Sequence, residues 1–246
     1  FNNITGAKQH VGNYAGVTVE KKEGHTNFNG RDLLFIDLPG TYSLTARSLD
    51  ELVARNVIVN DNPDVIVNVL DASNLERNLY LAAQLLELEK PMVIALNMAD
   101  VAEEMGIKYD FKKMAELTGA TIVSTVGRTN IGTKELLEAT ISVADSQKAP
   151  GVTVNYGDLL EGKIAELVAA LEEAGTVTYP LRWIAIKLLE NDPDVVEKVK
   201  GFANTEAVLQ KAAAIREEIK DQVDLDIVFQ EYRHRYAVEV YNQSLT

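Results

Sequence analysis

The sequence contains no cysteine. Disulfides, thiolate zinc sites and cysteine nucleophiles are thereby excluded, which fits a reducing compartment. It also lacks any apolar run near the ~18–20 residues that a membrane-spanning helix needs. Its first residues carry neither an initiator Met nor a charged-then-apolar signal pattern, and the chain is expected to be soluble. Positive charge is scarce: 24 Lys plus Arg against 37 Asp plus Glu give a formal charge of −13, shared between residues 1–150 and 151–246. Neither half offers a basic face, so nucleic acid and anionic membrane surfaces are poor partners. What is present suits a globular core: 246 residues, 46% of them hydrophobic. At roughly 150 residues per domain, that is one large domain or two small ones.

Four apolar runs read as buried strands: Leu33–Ile36, Val65–Leu70, Met92–Leu96 and Thr121–Val123. Helical periodicity fills the intervals, as in Leu75, Leu79, Leu85 and Leu86. Such alternation predicts an α/β fold with a mostly parallel sheet flanked by helices. Val17–Lys22 is expected to pair antiparallel with Asp32–Ile36 across a turn at Asn27-Phe28-Asn29-Gly30. After Pro150-Gly151 the strands give way to helical patterns: one ending at Gly175, then Leu181–Glu190, Pro193–Val199, Thr205–Val223 and Asp224–Tyr241, with Thr176–Thr178 as a weak strand at most. The reading is an α/β domain over 1–150 and a small all-α domain over 151–246.

Each strand run ends at a polar cluster, and ligands of open parallel sheets bind beyond the carboxyl ends of the strands. A single site built from these clusters is the expectation. In Asp37-Leu38-Pro39-Gly40 the Asp would hold Mg²⁺ through water and the Gly N–H would face a terminal phosphate, in a nucleotide-hydrolysing fold. A strand-ending turn explains the same residues. In Asn97-Met98-Ala99-Asp100 the carboxylate can accept from N1–H and the 2-amino group of guanine, a donor pair that adenine lacks, while Asn97 ties neighbouring loops and touches N7. A helix N-cap at Asp100 is the alternative. Backbone amides at Ser124-Thr125 would meet the guanine oxygen, or form a simple turn. Thr18 offers a hydroxyl to Mg²⁺, or is a plain strand threonine. The order Thr, DxxG, NxxD and small-residue loop is far more specific than any one member.

Gly12-Asn13-Tyr14-Ala15-Gly16-Val17-Thr18-Val19-Glu20, the segment from Asp37 to Leu44, and Asp71-Ala72-Ser73-Asn74-Leu75-Glu76-Arg77-Asn78-Leu79 resemble the cytosolic G domain of the ferrous iron transport protein B (FeoB) family. Met98, where most G proteins have Lys, strengthens the resemblance, and the helical second part is similar to that family's regulatory helical domain. The resemblance implies a P-loop GTPase-like fold and a GTPase of slow turnover, because Thr41 follows Gly40 where many small GTPases carry a catalytic Gln. It implies GTP and GDP as ligands, with Mg²⁺ and K⁺. Catalytic roles fall to Thr18 and Gly40, Mg²⁺ to Thr18 and Asp37, and nucleotide contacts to Gly40, Asn97, Met98, Asp100, Ser124 and Thr125. Switch I would span Lys8–Val19 and switch II Asp37–Arg55. Partners would be the transmembrane part of the same parent protein, at the cytoplasmic face of the membrane, and a second copy of the chain.

The phosphate loop G-x-x-x-x-G-K-[ST] is nowhere in the sequence. Phe1–Gly6 looks like the helix that follows it, so the chain is expected to be a piece of one carrying the loop, since loss of a central strand would bare apolar surface. His10, His25 and His234 form no metal spacing, Trp183 reads as a core anchor, and Tyr232, Arg233, Arg235 and Tyr236 read as a helix with one buried and one solvated face. Two rivals stand beside this reading: a soluble GTPase of ribosome or tRNA maturation, and a nucleotide-responsive binding module whose hydrolysis is irrelevant.

Overall fold

The computed structural model describes residues 1–6 and 9–246. They divide into two compact units: Phe1–Leu86, Lys90–Val152 and Ala237–Thr246 form the first, Glu87–Glu89 and Thr153–Tyr236 the second.

The first unit opens with a short helix α1 (Asn2–Thr5) and an antiparallel sheet of β1 (Gln9–Asn13), β2 (Glu20–Phe28) and β3 (Arg31–Asp37). Phe28 pairs with Arg31 across a two-residue turn, and that short turn sets Asp32–Ile36 against Glu23–Asn27 rather than against the expected Val17–Lys22. Asn29 and Gly30 both have positive φ, 51° and 80°, the requirement of the tight turn whose twist matches a hairpin. Helix α2 (Leu49–Asn56) follows and runs on into a wider turn of helix to Asp61. Ser48 caps it through Glu51 N at 3.2 Å, while Glu51 Oε2 accepts from Thr45 Oγ1 and Arg47 N, both at 3.0 Å, which fastens the preceding loop. A parallel sheet of β4 (Ile66–Asp71), β5 (Met92–Asn97) and β6 (Thr121–Ser124) completes the unit. It is interleaved with α3 (Leu75–Leu86), α4 (Ala99–Glu104), α5 (Phe111–Thr118) and α6 (Thr133–Ser146). Central strand β5 is buried from Met92 to Leu96, as its unbroken apolar run predicts.

The parallel sheet and its helices follow the alternation in the sequence; the place of Leu33–Ile36 does not. That run lies in β3, paired only with β2, and among the described residues no strand joins β3 to β4. Both open edges show apolar surface: Leu34 is 52% exposed and Val69 58%. Beside them, Asn68 Nδ2 on β4 is buried without a partner among the described residues. The apolar pattern foretells strands covered on both sides, and neither edge is.

The second unit is helical throughout: α7 (Gly157–Ala174), α8 (Leu181–Leu189), α9 (Pro193–Lys200), α10 (Glu206–Ile219) and the start of α11 (Val228–Ser244), whose residues from Ala237 belong to the first unit. Thr176–Thr178 is not a strand. Every residue of α8 from Trp183 to Leu189 is buried, with Trp183 only 2% exposed, so it anchors the core as its sequence suggests. Helix α10 stops at Ile219 rather than Val223, and α11 starts at Val228 rather than Asp224. Asp224 Oδ1 accepts from Asp226 N at 3.0 Å, a local turn that competes with helix.

Helix α11 has the buried and the solvated face that its sequence suggests, with His234 and Arg235 exposed and Arg233 on the buried side. The Arg233 side chain is fully buried, donating from Nε to Glu87 Oε1 at 2.6 Å and from Nη1 to Glu190 Oε1 at 2.6 Å. Lys187 Nζ stands 2.7 Å from Glu190 Oε2, and the Tyr156 hydroxyl donates to Glu87. Two carboxylates thus balance two cations inside the helical unit. Burial alone would raise the Glu190 carboxyl, but Lys187 and Arg233 outweigh it and hold it down, from an ordinary 4.5 to about 2.

Candidate functional site

Tyr14, Val17 and Val19 pack with Ile36, Leu38, Val53 and Val57 into a small apolar cluster. Thr18 lies between two residues of that cluster and faces out. The Tyr14 hydroxyl donates to the Asp37 carbonyl at 3.1 Å, tying the end of β3 to the segment before β2. Burial, with Asp37, Asp61 and Glu23 nearby, pushes its phenol up to about 12. The result is a cavity of about 490 Å³ lined by Thr18, Asp37 and Gly40 together with Lys22 and Asp50. Gly40 is exposed, and among the described residues a Cβ there would meet nothing within 4 Å beyond its chain neighbours. A hydroxyl and a carboxylate on one cavity are hard oxygen donors of the kind Mg²⁺ takes, so these residues fit that ion. Lys8, the first residue of the expected switch I, lies outside the described residues.

The second group sits at the carboxyl end of the parallel sheet. Asp71 pairs with Asn97 across β4 and β5, and Leu96 with Ser124 across β5 and β6, so three polar clusters share one edge. Asn97 Oδ1 accepts from Gly127 N at 2.9 Å and from Thr125 Oγ1 at 3.4 Å, and Ala99 N donates to Thr125 O at 3.3 Å. Asn3 Nδ2 fastens Gly127 O from α1 at 2.5 Å. Met98 takes a left-handed backbone, φ 59°, and leaves its side chain 40% exposed. Asp100 is not the N-cap of α4; Met98 holds that place, and the Asp100 carboxylate lies in the first turn, 3.0 Å from Arg128 Nη2. Thr125 is buried and its amide donates to Leu96 O at 2.8 Å. Behind this edge, Asp71 accepts from Ser73 N and Oγ, and Tyr109 OH donates to Ala72 O at 2.6 Å.

The structure therefore gathers Thr18, Asp37 and Gly40 in one place and Asn97, Met98, Asp100, Ser124 and Thr125 in another. The expected single row of four strand-end clusters is three on the parallel sheet and one on β3, for want of pairing between β3 and β4. Two charged neighbours escaped the sequence reading. Lys22 was within reach of it: a turn closing at Phe28 and Arg31 sets a register that places Lys22 opposite Asp37. Arg128 had no such signal, since nothing in the spacing of NxxD singles out a residue in the next loop. Among the described residues no group of three or more His, Asp or Glu could hold a metal by itself.

The fold is of the P-loop GTPase type, an α/β unit with its polar loops at strand ends and a helical companion. Residues 1–140 match the family described as "Ferrous iron transport protein B", and residues 156–246 match the FeoB cytosolic helical domain. The chain belongs to the ferrous iron transport protein B family. A Porphyromonas gingivalis protein named as a fusion of Fe²⁺ transport protein A with Fe²⁺ transporter FeoB is 42% identical over 211 residues, covering 82% of this chain and 25% of that protein. A Staphylococcus aureus Fe²⁺ transporter FeoB is 39% identical, covering 91% and 33%. The chain thus spans a quarter to a third of the length of these curated relatives. Among solved structures, the cytosolic domain of Thermotoga maritima FeoB in its GMPPNP form superposes with a TM-score of 0.87 at 29% identity, covering all of this chain and 93% of that one. A point mutant of S. thermophilus NFeoB bound to mGDP gives 0.89 at 33% identity, covering 99% and 93%.

Proposed function

We propose that this chain belongs to the guanine-nucleotide-binding and hydrolysing cytosolic part of a ferrous iron transporter, with a G domain over 1–150 that lacks the phosphate loop hydrolysis needs and a helical regulatory domain over 151–246. The observation that supports it most is the convergence of Thr18, Asp37 and Gly40 on one cavity, with Asn97 and Asp100 knit into a second loop pair. When bound, Mg²⁺ supplies charge to offset a nucleotide's terminal phosphates. Toward it the chain contributes the Thr18 hydroxyl and the Asp37 carboxylate, while the Gly40 amide faces the phosphate. Asp100 accepts the two guanine donors, Asn97 reaches N7, Met98 covers the base plane, and the Ser124-Thr125 loop borders the guanine oxygen. Thr41 follows Gly40 and offers no catalytic amide side chain, so backbone groups position water and turnover is slow. Ordering and release of the segments around Thr18 and Asp37 with nucleotide state is the switch, read by the helical unit and passed to a transmembrane part of the parent protein. The K⁺ that the family resemblance implies has no ligand assigned in residues 1–246.

Fluorescent GDP and ATP analogues titrated into the chain in Mg²⁺ buffer test this. The expected result is guanine-selective binding that falls at least tenfold in Asp100→Asn, as loss of charge-assisted hydrogen bonds of about 1.5–3 kcal/mol requires. Equal affinity for the two bases, or no effect of the substitution, overturns the assignment.

A further inference from the structure

The guanidinium of Arg128 lies on the carboxylate that the base is proposed to occupy, Nη2 to Oδ2 at 3.0 Å. The backbone next to it is held in place. Gly127, the residue before it, is held from two sides, its amide by Asn97 Oδ1 and its carbonyl by Asn3 Nδ2. Arg128 approaches from solvent: its side chain is 81% exposed, whereas that of Asp100 is 28% exposed and otherwise covered by the chain. The guanidinium therefore takes the open side of the carboxylate, which an entering ligand must use. The chemistry is matched as well. The N1–H, C2 and 2-amino group of guanine form a planar fork of two donors around one carbon, the fragment that a guanidinium also presents to carboxylates.

Resting on the base-site reading above, we propose that Arg128 is a positioning residue of the base site. In the nucleotide-free chain it holds the Asp100 carboxylate in the place of the guanine donors, and an entering guanine displaces it. An exposed pair of this kind is weak, so displacement is easy and apparent affinity is reduced at most about fivefold. Being an ion pair between an exposed and a half-covered group, it is screened by salt. The pair keeps Asp100 oriented between ligands without closing the site.

The test uses guanosine, which is uncharged, so that removing a cation cannot act through phosphate. Affinity is read by saturation-transfer NMR on the whole chain, with adenosine as control, at low salt and at about 0.5 M salt. Arg128→Gln is expected to bind guanosine about two- to fivefold more tightly than wild type at low salt. The gain should vanish at high salt, and Arg128→Lys, a point charge without the fork, should fall between. Unchanged or weaker guanosine binding by Arg128→Gln at low salt overturns the proposal, as does a gain that salt does not remove. If wild type and Asp100→Asn bind guanosine alike, or neither binds, the base-site reading itself fails and this inference falls with it. A site in which wild type binds, Asp100→Asn does not, and Arg128→Gln gives no gain refutes the inference alone.

Discussion

Replacing Arg233 by Met is expected to destabilise the helical unit severely while removing almost no volume. In the native chain the guanidinium makes two contacts with Glu87, at 2.6 and 3.1 Å, and two with Glu190, at 2.6 and 3.2 Å, and none of its side chain is exposed. Met fills the space but leaves the Glu87 carboxylate, 2% exposed, with the Tyr156 hydroxyl as a donor and no cation in place of the guanidinium. Breaking one side of a buried ion pair in this way costs about 3–5 kcal/mol. Far-UV circular dichroism during urea unfolding measures it. The double variant Arg233→Met/Glu87→Gln removes the stranded charge and keeps an acceptor for Tyr156, so it should regain at least about half of the loss. The pH dependence carries a sign. Glu190 is held at about 2 against an ordinary 4.5, so its contribution is present above about pH 4.5 and is lost as pH falls toward 2. Wild type should therefore lose stability across that window. In Arg233→Met one of the two cations that hold Glu190 down is gone, so less stability is lost in that window and the gap to wild type should narrow in acid. A single variant within about 1 kcal/mol of wild type, or a double variant no better than the single, refutes the reasoning.

Gly157 opens α7 at φ 78°, and a Cβ there would stand 2.5 Å from the Tyr232 hydroxyl. Gly157→Ala combines left-handed strain with a clash in the same unit and should cost about 1–3 kcal/mol, with Gly157→Ala/Tyr232→Phe recovering part of it in the same unfolding assay. In the first unit, Glu51→Ala removes the acceptor that Thr45 and Arg47 share. It should leave global stability within about 1–2 kcal/mol of wild type, but raise amide hydrogen exchange over 45–51 before that of β5.

How far the sequence speaks depends on whether a feature is carried by local chemistry or by what lies alongside. The β2–β3 turn was legible because Asn29-Gly30 is the pair a positive-φ turn demands, and α8 because an apolar run of its length has few alternatives. The place of β3 in a sheet separate from β4 was not, because an apolar run records that a strand is built to be covered and says nothing of which neighbour covers it. Nor was Arg233. Its flanking tyrosines mark a half-buried helix, but the acceptors that make its burial tolerable are Glu190, 43 positions away, and Glu87, 146 positions away in a segment between α3 and β5. No window on α11 contains either.

The candidate site divides along the same line. Thr18, Asp37, Asn97 and Asp100 were singled out because their order along the chain is itself the signal, with the DxxG and NxxD groups each standing at the end of a strand. Arg128 and Lys22 answer to those residues across the fold and belong to no motif of their own. Lys22 could be recovered by carrying the hairpin register back six residues from the turn, since pairing of Phe28 with Arg31 forces Lys22 opposite Asp37. Arg128 could not, because its place depends on Asn97 and Asn3 both gripping Gly127, two tertiary hydrogen bonds spanning 30 and 124 positions. Motif spacing therefore identifies the groups that would touch a ligand directly, whereas the place of Arg128 beside one of them is set by tertiary geometry alone. A residue placed in that way is visible only once the loops are folded together.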